Sequence, residues 1–153
     1  VTDPARTLPR LFAERGRWFE EALFASMERA GERPVTAAQA AVFANLDDGG
    51  TSISELARRI GVARQTAHQA VHGLIGMGLL EQAPDPASAR SSLIRMTPDG
   101  DRVHRRALAT LGVIEDVLVE RLGADAVAAL REALAGPWGA PPVVAAPDGG
   151  ASG

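Results

Sequence analysis

From Leu8 to Ala30 the apolar residues fall at 8, 11, 12, 18, 19, 23, 27 and 30, while Glu14, Glu20, Glu21 and Glu28 take other faces. Steps of three and four residues predict one long amphipathic helix. "GERP" ends it, and "TAAQ" starts another: a Thr36 hydroxyl can cap while Gln39 reaches back, so a second helix is expected through about Leu46. "DDGG" at 47–50 forces a turn. Ser52 and Glu55 in "SISE" offer a second capping box ahead of "LARRI", a short third helix that Gly61 breaks. Val62 can plug the core from the turn, and a fourth helix begins at Arg64, giving helix, glycine turn, helix.

After "GMG" the period changes. "LLEQA" at 79–83 and "SLIRMT" at 92–97 read as two short strands joined by the proline-bearing "PDPASARS", a β-wing with a polar tip. Thr97 and Pro98 are suited to N-cap and first turn of a fifth helix, with Asp99 and Asp101 at its positive end. Its apolar stripe is Val103, Ala107, Leu111, Ile114, Leu118 and Leu122. "GADAVAALREAL" makes a last, shorter helix. The eighteen residues from Gly136 hold five Gly and four Pro and are expected to be a disordered tail, in which Trp138 either docks on the body or is stray. The expected fold class is mainly α with a two-stranded wing. Its parts are N-terminal helices over 1–50, a winged helix-turn-helix core over 51–97, C-terminal helices over 98–135 and the tail over 136–153. A chain of 153 residues holds one real core, so a single compact unit is expected.

Composition removes mechanisms rather than adding them. With no cysteine there is no disulfide, thiolate nucleophile or Cys-ligated zinc. No run approaches the length of a spanning helix, and the opening "VTDPARTLPRLF" has proline and charges where a signal peptide is apolar; the expected location is the cytoplasm, away from the membrane. Net charge is −3, yet residues 51–106 carry eight arginines against five acids, +3, with −2 before them and −4 after. That local surplus suits a polyanion, as it does a solvated mixed-charge face.

The fourth helix sharpens the choice. Wound at 100° per residue, 63–75 places Ala67, Ala70, Val71 and Leu74 on one arc and Arg64, Gln65, His68, Gln69 and His72 on the other. The polar arc has no acid. A merely solvated face mixes signs, whereas guanidinium, amide and imidazole groups donate to phosphates and base edges. His68 and His72 stand four apart, as zinc ligands do, but "HExxH" is missing and the third histidine, His104, lies on another helix; solvent exposure of His72 stays open. "GLIGMG" lacks the strand and order of a phosphate loop, and no nucleophile–base arrangement or paired carboxylate stands out, so no enzyme and no cofactor are expected.

The stretch "TSISELARRIGVARQTAHQAVHGLIGMGLLEQAPDPASARSSLIRMTPDGDRV" resembles the winged helix-turn-helix core of the MarR family of bacterial transcription regulators, with "SELARRIGV", "GLLEQ" and "DPASARSSLIRMTPDG" as its specific pieces. The resemblance implies a homodimer paired through its terminal helices, two recognition helices in successive major grooves of a pseudo-palindromic double-stranded DNA operator, and wing tips on minor groove or backbone. It also implies repression relieved by a small aromatic or anionic effector. The expected DNA contacts are Ser52, Ser54, Arg64, Gln65, Thr66, His68, Gln69, His72, Arg90 and Ser91. Arg90 matches the family's wing arginine; Ser88 replaces the aspartate usual two residues earlier, and Ala63 replaces a better N-cap. Arg15, Trp18 and Phe19 on the first helix are the expected effector wall, with core or dimer packing the competing use of the two rings. The alternative function is a winged-helix module that binds protein instead of DNA.

Overall fold

A computed structural model describes residues 6–145; the expectation of a disordered tail falls partly on 146–153, outside the described residues. The described chain runs α1 (Leu8–Arg29), α2 (Ala37–Ala44), α3 (Ile53–Ile60), α4 (Arg64–Gly76), β1 (Leu80–Asp85), β2 (Ser88–Met96), α5 (Pro98–Leu122) and α6 (Ala124–Ala135). This is the mainly helical, winged architecture that the patterning predicts. It divides into two compact units, one ending at Asp116 and one starting at Val117.

Local chemistry starts each helix. The Thr36 hydroxyl accepts from the Gln39 amide at 3.2 Å while the Gln39 side chain accepts from the Thr36 amide at 2.9 Å, completing the predicted capping box. α2 ends at Ala44, two residues before the expected Leu46. At α3 only half of the second box forms. Ser52 Oγ accepts from the Glu55 amide at 3.2 Å, but the Glu55 carboxylate is drawn to Arg58 and Arg59 instead of returning to Ser52. Two guanidiniums outbid one backbone amide for a charge. Gly61 ends α3 at φ 77°, a left-handed conformation that lets the amides of Gly61 and Val62 both donate to the Ala57 carbonyl and turns the chain into α4. Val62 is half-buried and lies outside the central cluster it was expected to plug.

That cluster comprises Val42 and Phe43 of α2, Leu56 of α3, Ala70, Val71 and Leu74 of α4, and Leu79, Leu80 and Ile94 around the wing. Complete burial of a Leu, Ile or Val side chain stabilises by about 1.5–3 kcal/mol, and six such residues (Leu56, Leu74, Leu80, Ile94, Val42 and Val71) have almost no exposure. The wing is longer than predicted. β1 and β2 pair antiparallel from Leu80↔Met96 to Pro84↔Ser92, with a register shift before Asp85↔Ser88, and turn at Pro86 and Ala87. Pro84 reads as a strand breaker in sequence, but a hairpin edge tolerates a residue without an N–H. Thr51, the buried polar residue before α3, adds a third short rung by exchanging two backbone bonds with Ile94 at 3.0 and 2.9 Å.

The start of α5 is stitched to the end of α4. Thr97 Oγ1 donates to the Gly78 carbonyl at 2.7 Å and accepts from the Gly100 amide at 3.1 Å, and the Thr97 amide donates to the Leu79 carbonyl at 3.1 Å. Gly100 sits so close that a Cβ would lie 1.9 Å from the Leu79 oxygen. Further along, Glu32, in the α1–α2 connection, receives Arg102 at 2.6 Å and Arg106 at 2.7 Å, and its side chain is only 10% exposed. Their hydrogen bonds, Arg102 first, hold its carboxyl down at about 2. Leu122, on the predicted apolar stripe of α5, is exposed.

Two outcomes follow for stability. Gly100→Ala should destabilise by about 3 kcal/mol because backbone must move, whereas Gly61→Ala, strained in φ but facing open space, should cost about 1–2 kcal/mol; urea unfolding of both variants checks the order. A depressed carboxylate contributes stability above its unfolded value and loses it as pH falls. Glu32 should therefore stabilise fully above about 4.5 and give this up toward about 2. Glu32→Gln should melt lower at neutral pH and lose less on acidification over that window, as read by thermal melts.

Candidate nucleic-acid interface

The four apolar residues of the predicted inner arc of α4 are all buried, Ala67, Ala70, Val71 and Leu74, while Arg64, Gln65, Thr66, His68, Gln69 and His72 are all exposed. The helix is therefore rotated as its pattern requires, and its outer face presents donors and no acid. Ala63 supplies no side-chain cap, so the first-turn amides of α4 are left to solvent or a ligand. The His68 and His72 rings lie 4.1 Å apart, tilted by 41°. His104 is stacked on Phe43 at 5.9 Å, and among the described residues no group of three His, Cys, Asp or Glu side chains could hold a metal.

The arginines around this face fall into two kinds. Arg58 makes a two-pronged contact with Glu55 at 2.8 and 2.6 Å. Arg59 binds both oxygens of Asp47 at 2.9 and 2.8 Å, Glu55 at 2.8 Å and the Asn45 carbonyl at 3.0 Å. Hydrogen bonds from Arg58 and then Arg59 lower the Glu55 carboxyl to about 2, and Arg59 lowers Asp47. Arg64 and Arg90, by contrast, are exposed and form no ion pair among the described residues. Ser54 is exposed on the first turn of α3; Ser52 is half-buried with its oxygen committed to the cap.

The wing tip is ordered by an acid that sequence reasoning passed over. Asp85 stands opposite Ser88 in the hairpin and accepts from the Ala87 amide at 2.9 Å and from Ser91 Oγ at 2.5 Å. Those bonds, Ser91 first, lower the Asp85 carboxyl below its ordinary value. The carboxylate thus fixes the turn without neutralising Arg90, and it holds the Ser91 hydroxyl that was expected to meet DNA. An Asp two residues before the end of a short turn is a local signal for this Asx-type contact.

A cavity of about 540 Å³ lies between α1, α2 and α5, in the range of small-molecule sites. Of the three expected effector residues Phe19 lines it, in edge contact with Trp18 at 5.0 Å; Arg15 and Trp18 are not on its wall. Leu23, Phe24 and Met27 of α1, Phe43 of α2, and Val103, His104 and Leu111 of α5 also line it. The sequence signal for it is the set of small residues Ala37, Ala40, Ala41 and Ala44 on α2, with Ala107 on α5, which leave space where larger side chains would fill it.

Residues 34–91, from just before α2 to the wing, match the model of the MarR family. PcaV of Streptomyces coelicolor, in complex with its natural ligand, is 28% identical over 88% of this chain and 93% of its own, with a TM-score of 0.62. The transcriptional repressor CouR bound to a 23-mer DNA duplex is 26% identical over 86% of this chain and 92% of its own, with a TM-score of 0.70. Apo MarR of Escherichia coli shares the fold at 23% identity, over 84% and 94%, at 0.70. A search of curated proteins finds no match by sequence. No helix among the described residues is long and apolar enough to cross a membrane. With the winged fold, the acid-free outer face of α4 and the family match over residues 34–91, the core of this chain is similar to the winged helix-turn-helix region of MarR family regulators.

Proposed function

We propose that this protein is a transcription regulator of the MarR type: a homodimeric, sequence-specific DNA-binding repressor whose grip on a pseudo-palindromic operator is released by a small molecule. The observation that carries the reading is the outer face of α4: Arg64, Gln65, Thr66, His68, Gln69 and His72 exposed together, without an acid and with Arg64 unpaired among the described residues. Arg can pair with guanine and Gln with adenine through two hydrogen bonds each. Ser54 of α3 and Arg90 of the wing are the flanking contacts, placed for phosphate or minor groove, and Ser52 and Ser91 contribute through the cap and the turn they hold. CouR bound to DNA supports the assignment by likeness.

Dimerisation is supported by exposed apolar side chains toward both ends of the chain: Leu8, Phe12, Leu108 and Val113 in the first unit, Leu122, Leu130 and Leu134 in the second. A second copy covers them and sets two recognition helices about one helical turn apart. The effector site is the cavity between α1, α2 and α5, which carries Phe19 but replaces Arg15 and Trp18 with residues of α2 and α5. PcaV with its natural ligand and CouR with p-coumaroyl-CoA support a ligand-responsive regulator. A molecule lodged there biases the dimer by binding one spacing of its wings better than another.

Arg64→Ala should weaken operator binding by about 1–3 kcal/mol, about 5- to 150-fold, with discrimination relaxed at one base position; an unchanged gel-shift affinity removes Arg64 from base reading. Arg90→Ala should lower affinity evenly across sequences and make the dependence of log K on log salt shallower by about one. Titrations at several ionic strengths measure that slope, and an unaltered one takes the wing arginine off the phosphates.

A further inference from the structure

We propose that the cavity between α1, α2 and α5 takes an aromatic cation rather than an aromatic carboxylate, a ligand class that rests on the reading of this cavity as the effector site. The charged residues on its wall decide the sign. Glu32 is consumed by Arg102 and Arg106, and Arg102 is further held by Asp99 at 2.8 Å, so these four charges cancel within one cluster. Arg33 lines the cavity but donates through Nη2 to the Met77 carbonyl. Glu20 and Glu28, two turns apart on the cavity side of α1, are exposed and form no ion pair among the described residues. Two unpaired carboxylates thus stand against one guanidinium, Arg33, which has no ion pair among the described residues and spends one N–H on a carbonyl, leaving the wall with a net negative charge.

A ligand carboxylate entering this space would find Arg33 alone against two like charges. A cation meets the two carboxylates at a wall that also carries the aromatic rings of Phe19, Phe24 and Phe43, whose quadrupoles can attract positive charge. The size, about 540 Å³, and the aromatic lining by Phe19, Phe24, Phe43 and His104 suit a small aromatic molecule.

Three probes of one size separate the possibilities by fluorescence titration of the full chain: N-methylacridinium, anthracene-9-carboxylate and neutral 9-anthracenemethanol. The cation should bind at least about tenfold more tightly than the carboxylate, with the preference weakened by salt. Glu20→Gln with Glu28→Gln, both at exposed positions, should cut cation affinity about fivefold and leave the neutral probe unchanged. Equal or tighter binding of the carboxylate, or a preference untouched by the double variant, overturns the cation assignment while leaving the effector cavity standing. Ala41→Leu and Ala107→Leu, each checked for an intact thermal melt, should weaken all three probes by filling space. No binding of any probe, or binding indifferent to both, overturns the effector cavity itself.

Discussion

A helix can offer one face to a partner only if its other face is held, and α4 is held by buried Ala67 and by Ala70, Val71 and Leu74 in the central cluster. The two alanines let neighbouring helices approach closely, and Val71 and Leu74, with no exposure, fix rotation about the axis. A slip of one position would turn that apolar arc by 100° and bury a charged or amide side chain, at a cost of several kcal/mol without partners. The same packing therefore determines stability and the direction in which Arg64 and its neighbours point.

Around this helix, acids are used to take arginines out of play. Asp47 and Glu55 tie down Arg58 and Arg59; Glu32, Asp99 and Asp101 do the same for Arg102, Arg105 and Arg106. Most of these pairs are exposed and contribute little each to stability. Their larger effect is on where positive charge remains available: on α4 and the wing, at Arg64 and Arg90 and at Arg95, which among the described residues is bound only to the Gly49 carbonyl. An excess of +3 over residues 51–106 becomes a directed surface only through this partition.

Features written in short sequence neighbourhoods were legible. Thr36 with Gln39, Gly61 after Ile60, and the arcs of α4 all depend on residues within one or two turns of each other. Competition was not legible: nothing in "SISE" tells whether Glu55 returns to Ser52 or goes to Arg58 and Arg59. Pro84 ended a strand in the reading because proline lacks an N–H, and the hairpin's open edge made that lack harmless. The cavity is assembled from residues as distant as Phe19 and Leu111, so α1 alone suggested Arg15 and Trp18 as its wall. Only the run of alanines on α2 hinted at the space.

The claim on which the functional account stands is that two copies read DNA through α4. Selection of duplexes from a random-sequence library by the full chain tests it most directly. The account predicts enrichment of a pseudo-palindrome with half-sites about 10 base pairs apart, lost or altered at one position when Arg64 is alanine. Absence of any enriched sequence, or enrichment of one asymmetric site that is indifferent to Arg64, would contradict it.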